Sequence, residues 1–372
     1  ATSAKYDVYF DGTVLSLTDN QINTLAQDLS DIFDSKFIEF KNKLENAKTK
    51  QYYPLKKNAT VSQIEFLEKN KFYRKPLNGG FIIKESVFRH RPNGDTILAA
   101  RTIGGFSKIN HSPAYGLEYR YNSKLSGKDG LQTILFESNI ERQLHSPRNI
   151  DSDPGQHLIT TLEIDYQDIL EQALKTRLKK HNANFGVSIL MEVNTGRVKA
   201  ISNLKKNKRG QYVESKNYGV AEGVEPGSTF KLASVMAYLE DHVDAELDDT
   251  IHCKNGKFRF RGAPRPTVDS KKLGIVSLKE AFAYSSNIGV GRLIQKHYGE
   301  SQEKFINRIY SFGLAQRSEI DLDGIPKPKI KFPTDASWSG ISLPWISIGY
   351  EIQLTALDIL TFYNAVANNG EL

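Results

Sequence analysis

The chain has a single cysteine, Cys253, among its 372 residues. That excludes a disulfide framework and a cysteine-based metal motif. A lone thiol is compatible with the cytoplasm or with a periplasm-like space. No stretch reaches the roughly 18 consecutive apolar residues that a membrane-spanning helix needs, and none of these residues reads as a signal peptide. The first residues, "ATSAKYDVYFD", read directly as an extended segment, the texture of a trimmed chain, so the missing anchor says little about the native protein. Repeats of fixed period and low-complexity tracts are also absent. Charge is not one-sided: 50 basic against 43 acidic residues give +7, spread along the chain. The one short basic run, "KKNKR" (Lys205 to Arg209), reads as a solvated hairpin tip, and no nucleic-acid partner is expected. Cys253 lies in "IHCKNGKFRF", which predicts a strand pair turning at Asn255-Gly256 and makes the thiol a small packed side chain, not a nucleophile.

What is there is an ordinary globular composition, 39% hydrophobic and 25% charged. A prior of roughly 150 residues per domain suggests two or three domains. Residues 1–155 read as irregular. A polar amphipathic stretch from Asp19 to Lys50 is followed by glycine-punctuated short segments. No nucleophile is paired with a base there, and His90, His111 and His145 read as surface or core histidines in loop-like surroundings. The turn-rich "RNIDSDPGQ" (Arg148 to Gln156) marks a boundary, giving domains 1–155 and 156–372. Beyond it, "HLITTLEI" reads as a strand. "DYQDILEQALKTRLKKH" has Tyr166, Ile169, Leu170, Ala173, Leu174 and Leu178 at helical spacing. "GVSILMEV" and "GRVKAIS" predict a hairpin across Asn194-Thr195-Gly196, its apolar face expected on the helix that follows Ser228. The order strand, helix, hairpin, helices predicts an α+β fold, an antiparallel sheet with helices segregated around it.

The chemistry is concentrated in two short stretches. "GVEPGSTFKLASVMAYLED" (Gly223 to Asp241) contains a helix apolar on nearly every side, which predicts burial all round. Ser228 and Lys231 sit in its first turn, after the break at Pro226-Gly227. Spacing of three puts hydroxyl and amine on one face. Burial and the positive end of the helix dipole both disfavour the ammonium, so the lysine becomes able to take the serine proton. The second stretch, "SLKEAFAYSSNIGVGRLIQKHYG" (Ser277 to Gly299), opens with a capping box of Ser277 and Glu280. "SSN" (Ser285 to Asn287) then falls at a junction between two helices. Polar residues there often only cap helix ends. Beside Ser228 and Lys231, a second reading opens: the Ser285 hydroxyl passes a proton to a leaving amine and the Asn287 amide holds a peptide substrate. The pattern requires neither a metal nor a cofactor.

"EPGSTFK" and "SSNIG" resemble the Ser-x-x-Lys and Ser-x-Asn motifs of penicillin-binding proteins and serine β-lactamases, and among them the class B penicillin-binding proteins. "AARTIGG" (Ala99 to Gly105) and "AYGLEYRYNSKLSGKDG" (Ala114 to Gly130) resemble that family's N-terminal module. "LITTLEIDYQDILEQAL" resembles the start of its transpeptidase domain, and "SIGYEIQLTALDILTFYNAVANNG" (Ser347 to Gly370) the helix leading toward its third motif. "AARTIG" and "FYNAVANNG" place the chain nearest the division (septal) type. No glycosyltransferase signature, the mark of class A, occurs.

The resemblance implies a β-lactamase/transpeptidase-like domain at 156–372 and an elongated α+β pedestal or dimerisation module at 1–155. It implies a serine-type peptidoglycan DD-transpeptidase, with DD-carboxypeptidase side activity, that cross-links D-Ala-D-Ala stem peptides through an acyl-enzyme and is inhibited by β-lactams. Ser228, Lys231 and Ser285 would be catalytic and Asn287 substrate-binding. Stem peptides, a lipid-linked precursor, β-lactam antibiotics and cell-division or wall-synthesis membrane proteins would be partners. An N-terminal anchor outside this chain would hold the domain on the periplasmic face of the membrane.

One departure matters. The family's third motif, Lys-Thr/Ser-Gly, does not occur in residues 1–372. The expectation is that it follows Leu372 on a strand pairing with the Gly186 to Ser202 hairpin, whose edge and apolar face would otherwise be open. On this reading the chain alone is an impaired enzyme, with the Ser228 N–H as its only oxyanion donor. A β-lactamase, and a β-lactam receptor or non-catalytic wall-assembly scaffold, are the competing readings. The speed of deacylation separates them.

Overall fold

The computed structural model describes residues 2–89, 98–106, 113–137 and 140–371. His90 and His111 lie outside the described residues, and His145 is exposed. The chain forms two compact units, residues 1–97 with 128–154 and residues 98–127 with 155–372.

The first unit is more regular than its sequence texture suggests. In chain order it holds strand β1 (Thr2–Phe10), helices α1 (Asp19–Phe33) and α2 (Phe37–Ala47), strand β2 (Tyr53–Ala59), helix α3 (Val61–Glu68) and strand β3 (Phe81–Arg89). A later hairpin, β4 (Thr133–Glu137) and β5 (Ile140–Leu144), belongs to the same unit. β1 is the central strand of an antiparallel sheet, between β2 and β3. Its Val8 and Phe10 pack with Leu25, Leu29, Phe33, Phe40, Leu44, Leu55 and Leu67 into a core of their own. Thr18 and Thr60 start α1 and α3 with reciprocal bonds to Gln21 and Gln63. Asp34, left-handed at φ 46°, splits the amphipathic stretch into two helices.

The second unit carries helix α4 (Ile164–Lys180), strands β6 (Phe185–Met191), β7 (Val198–Lys206) and β8 (Tyr212–Val213), and the short helix α5 (Tyr218–Ala221). Helix α6 (Lys231–Asp241) follows, then strands β9 (Thr250–His252), β10 (Lys257–Phe258), β11 (Thr267–Val268) and β12 (Ile275–Ser277). Among the helices that follow are α7 (Leu278–Ala283), α8 (Asn287–Tyr298), α9 (Gln302–Ser311) and α10 (Ala356–Ala367). The antiparallel sheet has the order β8-β7-β6, and β6 pairs on one side only among the described residues. The Asn194-Thr195-Gly196 turn joins β6 to β7 as expected, with Gly196 at φ 64°. The basic run ends β7 and turns into β8.

Four local readings are corrected. "HLITTLEI" is not a strand; beside β7 it is held by Thr161 Oγ1 to Val198 O (2.7 Å) and Glu163 N to Lys199 O (2.9 Å), and Ile159 is 94% exposed. In α4, Tyr166 and Ile169 face solvent, while Gln167, Glu171 and Leu178 are buried. Gln167 wins its buried place because its carboxamide mimics a peptide group: Nε2 donates to Ile201 O and Oε1 accepts from Ile201 N, both at 2.9 Å. The hairpin's Ile189 and Met191 pack with Val220 of α5, Leu357 of α10 and Leu322, not on the helix after Ser228. "IHCKNGKFRF" is not a hairpin. β9 pairs with β12 and β10 with β11, because Lys254, Asn255 and Gly256 are all left-handed and send the chain onward. Cys253, at that bend, is fully buried.

Helix α6 is enclosed as its apolar sequence predicts. Phe230, Ala233, Ala237 and Tyr238 share one core with Leu293 and Ile294 of α8 and Phe305 and Ile309 of α9. At about 25 cal/mol per Å² of apolar surface buried, such a core fixes the helix axis firmly. It therefore fixes the position of whatever lies in its first turn.

Candidate active site

Residues Gly227–Phe230 form one tight helical turn that runs directly into α6. Three tethers hold it. Val224 exchanges both backbone hydrogen bonds with Leu354, at 2.9 and 3.0 Å. Gly227 N donates to Gly349 O at 3.0 Å, and Gly349 sits at φ +87° so close that a Cβ on it would lie 2.0 Å from Gly227 O. Only glycine fits there. Tyr363 of α10 donates its hydroxyl to Thr229 O at 2.8 Å. The turn is thus fixed from both sides, and Ser228 remains exposed at its tip.

Beneath it Lys231 is 1% exposed. Its ammonium has three acceptors for three protons: Ser285 O at 2.6 Å, Ser285 Oγ at 3.0 Å and Ser228 Oγ at 3.2 Å. Burial pulls the lysine from its ordinary 10.5 down to about 8, and the negative charge of Asp269 partly counters the fall. A useful fraction of the amine is then neutral near pH 7, with the Ser228 hydroxyl within hydrogen-bond reach. That is the geometry of a base and its nucleophile.

The second stretch comes to the same place. Ser277 and Glu280 form the capping box read from the sequence, and α7 ends one residue before Tyr284. Ser285 turns the chain at φ 54°, an uncommon conformation for a residue with a Cβ. Ser286 caps α8 through Gly289 N at 2.8 Å. Ser285 is exposed beside Lys231, so Ser228, Lys231 and Ser285 form one connected group. Asn287 is the first residue of α8 and half-buried. It is tied in by its backbone N–H to Asp269 Oδ1 at 2.8 Å; its side chain makes no hydrogen bond to the other three residues.

Sequence reasoning missed Asp269, Gly349 and Tyr363. Each reaches the site from a distant segment and carries no local pattern. Among the described residues no cluster of histidine, cysteine and carboxylate side chains could hold a metal ion.

Comparison with known proteins bears on the fold and the family. Residues 186–372 match the penicillin-binding protein transpeptidase domain, and residues 1–160 the penicillin-binding protein dimerisation domain. A Neisseria gonorrhoeae protein named "Probable peptidoglycan D,D-transpeptidase PenA" is 25% identical over 299 residues, covering 78% of this chain and 49% of its own length. The Escherichia coli K12 peptidoglycan D,D-transpeptidase FtsI is 25% identical over 298 residues, covering 78% and 48%. The chain thus spans about half the length of these relatives. Penicillin-binding protein 2X of Streptococcus thermophilus shares the fold over 99% of this chain and 56% of its own, with a TM-score of 0.74 and 21% identity. Penicillin-binding protein 3 of Mycobacterium tuberculosis, solved with aztreonam, matches 77% of this chain and 59% of its own at 25% identity and a TM-score of 0.60. With both domains matched, the chain belongs to the penicillin-binding protein transpeptidase family.

Proposed function

We propose that this chain carries the acylation centre of a serine-type peptidoglycan DD-transpeptidase. The observation that carries the reading is the buried Lys231 amine held between the Ser228 and Ser285 hydroxyls at 3.2 and 3.0 Å. Neutral Lys231 takes the Ser228 proton, and Oγ attacks the carbonyl between the two terminal D-alanines of a stem peptide. The Ser228 N–H donates to the oxyanion that forms. Ser285 lies between the lysine and open solvent, where its hydroxyl delivers a proton to the departing D-alanine nitrogen as the C–N bond breaks. The amino group of a second stem peptide then attacks the ester, transfers the acyl group and returns Ser228. A β-lactam ring opens on the same oxygen, leaving a comparable ester. Asn287, at the start of α8, is assigned to holding the peptide.

The remaining assignments rest on the relatives. Residues 1–155 act as a non-catalytic pedestal, and 156–372 as the transpeptidase domain. The substrate arrives as a lipid-linked precursor, and division-type membrane proteins are the partners. No helix among the described residues is long and apolar enough to cross a membrane. The anchor that keeps the domain outside the cytoplasm is assigned to sequence beyond these residues.

Release of D-alanine from a stem-peptide analogue, compared between the wild type and Lys231→Arg, tests the reading. Arginine keeps the charge but has no usable lone pair near neutral pH. Release should fall by orders of magnitude in a folded variant. Near-wild-type release from Lys231→Arg would overturn the base assignment.

A further inference from the structure

Asp269 follows β11, and its backbone N–H is tied to Gly256 O at 3.0 Å. Its half-buried carboxylate reaches across to the helix junction. Oδ2 accepts the Ser286 hydroxyl at 2.5 Å, and Oδ1 accepts the N–H groups of Asn287 at 2.8 Å and Ile288 at 3.4 Å. Ser286 itself satisfies Gly289 N. With Ser286 N on Ala281 O at 2.8 Å, all four orphan donors that open α8 are taken, two of them by a side chain from a different segment. The fully buried Cys253 closes the other side, with Sγ 3.5 Å from Ser286 Oγ. The left-handed Ser285 costs roughly 1–3 kcal/mol and persists only where its surroundings over-determine it. It is followed immediately by the residues that Asp269 grips.

The same carboxylate is the charge that bears on Lys231, which otherwise faces the neutral oxygens of Ser228 and Ser285. We propose that Asp269 is the positioning residue of this site: it pins the Ser285–Asn287 corner against Lys231, and through that corner it sets the surroundings of the base. The proposal rests on the transpeptidase reading for its catalytic meaning, and on the hydrogen bonds for its structural one. An ordinary cap would supply order alone. A carboxylate, placed at the positive end of α8 and acting on the base, couples the order of the site to its protonation.

Asp269→Asn and Asp269→Ala separate the two effects. Asparagine keeps an oxygen for the Asn287 N–H and an amide for the Ser286 oxygen, but loses the charge. Two readouts are taken against pH. The first is the ¹³Cε resonance of Lys231, assigned by its loss in Lys231→Arg. The second is the rate of acylation by a fluorescent penicillin. In Asp269→Asn the Lys231 midpoint should move to lower pH, and the acid limb of acylation should follow. Each unit corresponds to about tenfold in free amine below the midpoint. Asp269→Ala should also slow acylation on the alkaline plateau, where protonation no longer limits. An unmoved lysine midpoint in folded Asp269→Asn would overturn the proposal, as would wild-type plateau rates in Asp269→Ala. If neither variant folds, Asp269 is a structural cap and the proposal fails. A full-length wild type that resists penicillin while its Lys231 resonance responds to the asparagine would instead sink the transpeptidase reading and leave the positioning role intact.

Discussion

Replacing Lys231 by methionine should abolish acylation without destabilising the protein at neutral pH. The folded chain holds the Lys231 proton less tightly than the unfolded chain does, about 8 against 10.5. At roughly 1.4 kcal/mol per unit, burying the ammonium costs about 3 kcal/mol of stability below pH 8. Methionine fills nearly the same volume and removes that cost. Against it stands the Ser285 carbonyl, which loses its donor at 2.6 Å; an unsatisfied buried acceptor costs about 1–3 kcal/mol. The net change at pH 7 lies between about 0 and 2 kcal/mol in favour of the variant. The pH dependence is more diagnostic because the carbonyl cost stays. Between pH 8 and 10.5 the unfolded wild-type chain keeps the proton and the folded one has released it, so raising the pH stabilises the folded wild type. From pH 7 to 9.5 the wild type should gain about 2 kcal/mol relative to Lys231→Met. Urea denaturation of both proteins at the two pH values measures this, and other alkaline titrations cancel in the difference. A gap that does not change with pH, or a variant several kcal/mol less stable at pH 7, would refute the account of Lys231.

Gly349→Ala forces a Cβ to 2.0 Å from Gly227 O at φ +87°. The variant should lose about 2 kcal/mol or more by urea denaturation, and acylation should fall with it because the nucleophile turn must shift. Tyr363→Phe removes the hydroxyl bond to Thr229 O. It should cost about 1 kcal/mol and slow acylation several-fold while leaving the Lys231 midpoint unmoved; stopped-flow acylation against pH checks both.

The Ser228 turn, the Lys231 pairing and the Ser285 junction were legible because each is a local pattern: a helix with no polar face, a break before it, a capping box. The β6–β7 hairpin was legible from its turn and alternation. What escaped was tertiary. Tyr166 and Ile169 continue the helical apolar spacing of α4 yet face solvent, and Gln167 is buried by a carboxamide match to Ile201 that hydropathy cannot express. "HLITTLEI" has strand-like residues, but only isolated bonds tie it to β7. The regular core of the first unit was hidden because β1 buries only Val8 and Phe10 among its described side chains, too few to show alternation over "YDVYF". Asp269 caps α8 from a segment 18 residues earlier than Asn287, so no helix-start signature includes it.

The central claim is that Ser228 is the atom acylated. Incubation with a labelled penicillin, digestion and mass spectrometric mapping of the adduct decides it. The account predicts the label on Ser228 Oγ, lost in Ser228→Ala and in Lys231→Arg. A stable adduct on any other residue, or undiminished labelling of Ser228→Ala, would contradict it.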